Sequence, residues 1–126
     1  NEVDTHKMEE QLIESGHIIV EEAKNADVVI MVGGLNKNHK QDCEDGDREN
    51  YSLPFHQDEL IEAIHAVNPN LILVLCSGNA VQMPWIKDVP AILQTWYGGS
   101  AAGDAIADVL IGKTNPSGVN NIYKRR

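Results

Sequence analysis

The sequence predicts an α/β domain: a mainly parallel sheet with helices on both faces, that is, a three-layer sandwich. Apolar, β-rich runs alternate along the chain with segments whose apolar residues recur at helical spacing. This alternation is typical of strand–helix–strand crossovers between parallel strands. The runs are continuously apolar, as expected of strands covered on both faces. With 126 residues, the chain is long enough for one domain, residues 1–126, with a buried core.

The first predicted element is a helix. Residues 1–11 are polar and are interpreted as a lead-in. Helical spacing runs through Leu12–Ala26, and His17–Asn25 is its most regular part because Gly16 interrupts the pattern. The side chains expected in the core are Leu12, Ile13, Ile18, Ile19, Ala23 and Ala26.

A long polar loop follows the first strand. Asp27–Val32 predicts a buried strand, and Gly33–Phe55 shows no periodicity and few apolar side chains. Loops of this length inside a compact domain are uncommon and are either functional or disordered. Carboxylates crowd here beside one arginine and one thiol: Asp42, Glu44, Asp45, Asp47 and Glu49 with Arg48 and Cys43. Because such carboxylates repel one another, we interpret the loop as a functional element held by the scaffold.

The remaining elements continue the alternation. In order they are the helix Gln57–Val67, the strand Leu71–Cys76, a connector at Met83–Ile86, the strand Ala91–Trp96 and a helix that Ser100 could cap and that runs to Ile111, with a buried stripe of Ala105, Ile106, Val109 and Leu110. Glycine turns follow the three strands, at Gly33-Gly34, Ser77-Gly78 and Gly98-Gly99. Because the carboxyl ends of parallel strands share one edge, these turns and the acidic loop should meet there.

Composition and motifs exclude several functions. The net charge of −9 argues against nucleic acid and against an anionic membrane surface. No apolar run approaches the roughly 20 residues of a membrane span. The glycine pairs lack the spacing of a phosphate loop, and Ser77 lacks the GxSxG setting of a nucleophile elbow. We therefore expect no cofactor.

Some residues carry two interpretations. His39, Asp42, Cys43 and Glu44 match no zinc spacing, so a metal site is disfavoured. Cys43 and Cys76 could form a disulfide or remain free thiols, and the sequence leaves this open. Two tryptophans could line a sugar cleft or pack as core or strand-end aromatics, and the packing interpretation is favoured for both Trp85 and Trp96.

Glu44 is the residue that the loop singles out for chemistry. A carboxylic acid on a loop in a cleft can act as a general acid when its protonated form is favoured. Repulsion from Asp45 and Asp47 would favour that form, whereas Arg48 would oppose it. Asp47 and Arg48 could also pair and fix the loop. The alternative, without a catalytic role, is that these residues form a solvated acidic loop.

Several stretches together identify a family. They are ADVVIMVGGLN (26–36), EDGDRENYSLPFHQDELIEAI (44–64), NPNLILVLCSGNAVQMPW (68–85) and VPAILQTWYGGSAAGDAIADVLIGKTNPSG (89–118). In this order and spacing the chain resembles the C-terminal α/β sandwich domain of glycoside hydrolase family 3, the β-glucosidase and β-xylosidase family. The resemblance covers roughly residues 18–118.

The resemblance implies a retaining, exo-acting β-glycosidase. A preceding TIM-barrel domain carries the aspartate nucleophile, and a glutamate in a loop reading E-G-x-D-R serves as general acid/base in one branch. That register places Glu44 on the acid, with Asp47 and Arg48 on the D-R pair that binds substrate or positions the loop. The implied substrate is a β-linked glucoside or xyloside, and the implied location is periplasmic or secreted. The barrel partner lies outside these residues, so we expect a fragment that folds alone but hydrolyses nothing.

The sequence departs from the family pattern in three places. Asp45 stands where the motif has glycine, which adds a charge and removes a hinge. Ala101 stands where another branch carries its acid/base glutamate. The usual G-K-L-P-x-T-F continuation is not present at 118–123. Two other classes stay open, a carbohydrate-binding or interaction module without catalysis and a generic nucleotide-binding domain, and the missing phosphate loop counts against the second.

Overall fold

The structure is a computed structural model and describes residues 5–38, 40–44, 46, 48–116 and 122–124; residues 5–9 and 122–124 are described by their backbone alone. Its elements are helix α1 (Thr5–Lys24), strand β1 (Val29–Gly34), helix α2 (Gln57–Val67), strand β2 (Leu71–Cys76), a 3-10 turn (Pro84–Lys87), strand β3 (Ala91–Gln94), helix α3 (Ala102–Leu110) and strand β4 (Ile122–Lys124). The predicted bounds of α2 and β2 are confirmed.

The strands form one sheet in the order β1-β2-β3-β4. β1, β2 and β3 are parallel, with Val29 opposite Leu71 and Ile72 opposite Ala91. β4 is antiparallel to β3, and the sequence did not predict it. The predicted mainly parallel α/β sheet is therefore confirmed.

The main core lies on one face of this sheet. Every second side chain of β2 points into that face, and these side chains are fully buried: Leu71, Leu73 and Leu75. α2 covers them with its apolar side chains Ile61 and Ile64, which are also fully buried. Trp85 closes the cluster at 1% exposure, which confirms the packing interpretation of this residue.

The other face is covered by α3, but loosely. α3 residues line two cavities together with sheet residues, the first beside Cys76 and Thr95 and the second beside Ile72 and Leu93. No residue of α3 is buried, so the predicted buried stripe is wrong. The helix begins at Ala102, so its N-cap is Ala101 rather than Ser100, and this N-cap makes no side-chain hydrogen bond. Apolar spacing predicted the helix correctly but could not report how closely the helix packs.

β1 corrects a second expectation. Val28, Ile30 and Val32 are 48, 49 and 66% exposed, so the strand is not covered on both faces. β1 lies at the edge of the described sheet, and its lateral neighbour is β2 alone. The strand also continues through Gly33 and Gly34, which pair with Leu75 and Cys76, instead of ending at Val32.

Helix α1 corrects a third. It begins at Thr5, includes residues assigned to the polar lead-in, and passes through Gly16. Of the expected core positions on this helix, Ala23 is buried, whereas Leu12, Ile13, Ile18 and Ile19 are exposed. α1 packs against α2 rather than into the sheet, so only part of its apolar surface is covered. Within the described residues, no helix has both the length and the apolar character needed to cross a membrane.

Candidate functional site

The loop after β1, residues 35–56, is anchored to the carboxyl ends of the strands. The Leu35 amide donates to the carbonyl of Cys76 at 2.7 Å. The Gln57 side chain receives the Gly34 amide at 2.7 Å and donates back to the Gly34 carbonyl at 2.9 Å. Leu35 and Leu53, near the two ends of the loop, are buried. The described part of the loop is therefore built into the fold, which favours the functional interpretation.

Its first half is folded by its own hydrogen bonds. Gln41 is buried at 6% exposure and accepts the Asn36 amide at 3.0 Å. The Asp42 amide donates to the Asn36 carbonyl at 3.0 Å, and the Lys40 amide donates to the Gly46 carbonyl at 2.8 Å. These bonds bring Asp42 back over the end of β1.

Asp42 connects the loop to the turns after β2 and β3. Its Oδ2 accepts the Gly78 amide at 2.7 Å and the Tyr97 hydroxyl at 2.6 Å. Its Oδ1 accepts Nδ2 of Asn79 at 2.5 Å. The three glycine-containing turns and the acidic loop were predicted to share one edge, and these bonds confirm the meeting of the loop with the turns at 78 and 97.

Arg48 ties the second half of the loop to the same turn. Its Nη2 donates to Oδ1 of Asn79 and to the Ala80 carbonyl, the latter at 2.6 Å. Its guanidinium carbon lies 6.0 Å from the centre of the Tyr51 ring, within cation–π range. Nη1 of Arg48 is buried and has no hydrogen-bond partner among the described residues. In this structure Arg48 thus contacts the turn after β2 and the loop itself.

Glu44 lies between these two attachments and is exposed. No described residue forms a hydrogen bond or an ion pair with its carboxylate. Asp47, the partner proposed for Arg48, and Asp45, the departure from the family motif, both lie outside the described residues. The site roles predicted for Glu44, Asp47 and Arg48 stay predictions.

Among the described titratable groups, Tyr97 is the one whose pKa is clearly shifted from its ordinary value. Partial burial, then the hydrogen bond to Asp42 and the negative charge of that carboxylate, raise the pKa of Tyr97 to about 12. The phenol is therefore protonated at any physiological pH and acts as a fixed donor to Asp42. Trp96, just before it, adopts a left-handed backbone with φ of 56° and is 51% exposed.

A cavity of about 630 Å³ opens at the same edge, between the ends of β2 and β3 and helix α3. Trp96, Tyr97 and Thr95 line it on the strand side, and Ile106 lines it on the helix side. The lining is predominantly apolar, with Lys37 and Asn36 from the loop at its rim contributing polar groups. This composition is typical of sites for small organic ligands.

The two cysteines are free thiols, which decides between the alternatives left open by the sequence. Cys76 Sγ lies 3.0 Å from Oγ1 of Thr95, and Cys43 Sγ lies 3.5 Å from the Gly46 carbonyl. Within the part of the chain that the structure describes, no three His, Cys, Asp or Glu side chains are grouped to hold a metal ion.

The sequence did not predict that Asp42, Asn79 and Tyr97 form one hydrogen-bonded group. Asp42 was considered as one of the crowded loop carboxylates and as a disfavoured metal ligand. The signal that could have found them is topological: polar side chains in turns after neighbouring parallel strands share one edge. The pattern could not choose which loop carboxylate those turns receive.

Comparison with known proteins identifies the domain. Residues 11–122 match the glycosyl hydrolase family 3 C-terminal domain. The chain belongs to this family. It is 64% identical over 99 residues to β-glucosidase BoGH3A of Bacteroides ovatus, a match that covers 79% of this chain and 13% of that protein. It is 45% identical over 97 residues to a β-xylosidase of Formosa agariphila, covering 76% and 13%.

Solved structures of family 3 enzymes agree with the fold. The β-glucosidase of Kluyveromyces marxianus in complex with glucose superposes with a TM-score of 0.77 at 40% identity, over 83% of this chain and 12% of that one. The Bifidobacterium adolescentis family 3 β-glucosidase superposes with a TM-score of 0.69 at 41% identity, over 79% and 14%. The chain spans about one-eighth of the length of these relatives. The family 3 resemblance and the α/β sandwich are thus confirmed.

Proposed function

We propose that this family 3 domain supplies the general acid/base, Glu44, to a retaining, exo-acting β-glucosidase-type active site. The rest of that site, including the nucleophilic aspartate, would belong to a TIM-barrel domain of the same protein. The substrate would be a β-linked glucoside or xyloside. Relatives named β-glucosidase and β-xylosidase support the substrate class.

One observation carries the proposal. Glu44 is exposed and without a described partner, while the chain on both sides of it, at Asp42 and Arg48, is fixed to the turn after β2. A general acid needs this combination, because its carboxyl must be free to reach the substrate but must be held in place. An ordinary solvated loop would not need two attachments on either side of an exposed carboxylate.

The reaction follows from the two carboxyl groups. The barrel aspartate would attack the anomeric carbon, and the protonated Glu44 would give its proton to the departing glycosidic oxygen. The product alcohol leaves, and the sugar stays bound to the aspartate as an ester. The Glu44 carboxylate then takes a proton from water, the resulting oxygen attacks the anomeric carbon, and the ester bond breaks. Sugar and alcohol are released, and both carboxyl groups return to their starting protonation states.

The test is Glu44→Ala in the full-length protein with an aryl β-glucoside that has a good leaving group. We expect turnover to fall about 10²- to 10⁴-fold, the usual worth of a general acid/base. Azide should restore turnover and yield the β-glycosyl azide, because azide attacks the ester without needing a base. Glu49→Ala is the matched control, since Glu49 is an exposed acid of the same loop whose only described ionic partner is Lys40. Equal activity of the two variants would refute the proposal.

A second candidate is a carbohydrate-binding role without a catalytic share. The cavity of about 630 Å³ favours it, because the half-exposed rings of Trp96 and Tyr97 offer flat apolar faces beside polar loop groups. Titration of the chain with glucose and with cellobiose, followed by tryptophan fluorescence, separates the two functions. Two results together would favour binding alone. Sugar should cause saturable quenching that Trp96→Ala abolishes, and Glu44→Ala should leave the turnover of the full-length protein unchanged.

A further inference from the structure

One amide side chain contacts the loop on both sides of Glu44. Asn79 donates from Nδ2 to Asp42 and accepts at Oδ1 from Arg48. Asp42 precedes Glu44 by two residues and Arg48 follows it by four. Two points of the loop that bracket Glu44 therefore converge on the same amide.

The chemistry of the three groups allows one arrangement only. An ionised carboxylate accepts hydrogen bonds and a guanidinium donates them, so the amide must turn its nitrogen to Asp42 and its oxygen to Arg48. A second carboxylate at position 79 could not donate to Asp42. The orientation of the amide is thus determined by the loop, and the loop is held in turn by the amide.

The turn that carries Asn79 is itself fixed from beneath. Ser77 is 1% exposed, and its hydroxyl donates to the Asn79 carbonyl at 3.0 Å. Gln94 of β3 donates to Oγ of Ser77 at 3.0 Å and to its carbonyl at 3.3 Å. A side chain added at Gly78 would come within 2.8 Å of the Tyr97 ring and 3.1 Å of Asp42, so this turn leaves no spare room.

We propose that Asp42 and Asn79 are positioning residues that hold Glu44 at the distance needed for proton transfer. The inference rests on the proposed function of Glu44 and extends it to side chains that do not touch substrate. Neither residue transfers a proton in this scheme. Tyr97 has a smaller share, because its hydroxyl supplies one of the three hydrogen bonds to Asp42.

The test uses the full-length protein and two aryl β-glucosides. One carries a strongly acidic phenol, which departs without protonation, and the other a weakly acidic phenol, which depends on the general acid. For Asn79→Ala and Asp42→Asn we expect kcat/KM to fall roughly 30- to 100-fold for the weakly acidic phenol, as for a displaced catalytic group. For the strongly acidic phenol we expect a fall of less than about 3-fold. A merely structural defect would lower both values equally.

Two further variants make the outcome decisive. Tyr97→Phe removes one hydrogen bond and keeps the ring, so it should show the same substrate split at roughly 3- to 10-fold. Asp108→Asn is the matched control, because Asp108 is hydrogen-bonded to Lys113 near the C-terminus of α3. Its kcat/KM should be unchanged for both substrates.

The contradicting outcomes are separable. The positioning role is wrong if Asn79→Ala and Asp42→Asn lower kcat/KM equally for both substrates. It is also wrong if they leave kcat/KM unchanged, as Asp108→Asn should. In either case the role of Glu44 stands. Glu44→Gln is measured alongside as the reference. If Glu44→Gln itself shows no dependence on the leaving group, the proposed function fails, and the positioning role fails with it.

Discussion

At Gly34, an added Cβ atom would clash with the backbone of the neighbouring strand. The φ of Gly34 is +129°, and a Cβ there would lie 1.9 Å from the carbonyl oxygen of Cys76 in the neighbouring strand. The strand pairing of β1 with β2 and the start of the loop at residue 35 both depend on this close approach. A side chain would force the two strands apart at their carboxyl ends.

Gly34→Ala should therefore lower the free energy of unfolding by more than about 3 kcal/mol, from backbone strain and the lost strand contact together. Gly103→Ala is the control, since Gly103 lies within α3 with open space around it. That change should raise the free energy of unfolding by about 0.5–1 kcal/mol through helix propensity. Urea denaturation of the chain measures both, and equal effects of the two variants would contradict this account of Gly34.

Tyr97 gives a prediction that depends on pH. Its pKa of about 12 lies above the ordinary value of 10.0, so the unfolded chain loses the phenol proton first as pH rises. The contribution of Tyr97 to stability is constant below pH 10.0 and falls between pH 10.0 and about 12.

The measurement is an ultraviolet titration of phenolate absorbance, wild type minus Tyr97→Phe, which isolates this residue from the other tyrosines. The difference should titrate near pH 12. In Asp42→Asn, the midpoint should move part of the way down toward 10.0, because the anionic acceptor is removed while the partial burial of Tyr97 stays. A wild-type midpoint near 10.0 would show that Tyr97 is neither partly buried nor bonded to Asp42 in solution.

At the scale of elements, α1 and α2 show what a sequence pattern can and cannot determine. α2 and β2 were predicted to the residue because each is a local pattern ended by a clear signal, such as the turn at Asn68-Pro69. α1 was predicted as a helix with buried isoleucines, yet Ile18 is 60% exposed. Apolar spacing gives the face of a helix, but the burial of that face depends on which elements pack against it.

This difference predicts the effects of two matched substitutions. Ile61→Ala in α2 should cost about 2–5 kcal/mol of unfolding free energy, because Ile61 is fully buried and leaves a cavity. Ile18→Ala in α1 should change it by no more than about 0.5 kcal/mol, as for other surface positions. Urea denaturation of the chain again gives both values. A cost above about 2 kcal/mol for Ile18→Ala would mean that the exposed side of α1 is covered in solution.

The candidate site shows that contacts between separate elements are also hard to predict from sequence patterns. The sequence placed the acidic loop and the three turns at one edge, and it singled out Glu44 and Arg48. It could not identify the group formed by Asp42, Asn79 and Tyr97. Asn79 and Tyr97 lie 37 and 55 positions after Asp42 in the sequence. Each is an ordinary polar residue in its own segment. Only the register of β1, β2 and β3 brings them together.

At the scale of the whole molecule, this chain carries one half of a proposed pair of catalytic carboxyl groups. It spans about one-eighth of the length of its family 3 relatives. The exposed side chains of Ile30 and Val32 in β1, and of Val28 just before it, also show that the three-layer sandwich is incompletely covered within the described residues.

The 126-residue chain alone should therefore release no product from aryl β-glucosides, since a retaining enzyme requires both carboxyl groups. The measurement is absorbance of the liberated phenol at high protein concentration. Glu44→Ala of the same chain controls for contaminating hydrolases. Turnover by the wild-type chain that is absent from this variant would show that a second carboxyl group lies within these residues.

The most direct test of the proposed role is a distance in the full-length protein. A 2-fluoroglycoside that traps the sugar on the nucleophilic carboxylate would mark the second catalytic group in a crystal structure. The Glu44 carboxyl should lie about 5–5.5 Å from that carboxylate, the separation that a retaining mechanism requires. A separation of about 10 Å or more, or a different acid at the shorter distance, would contradict the assignment of Glu44.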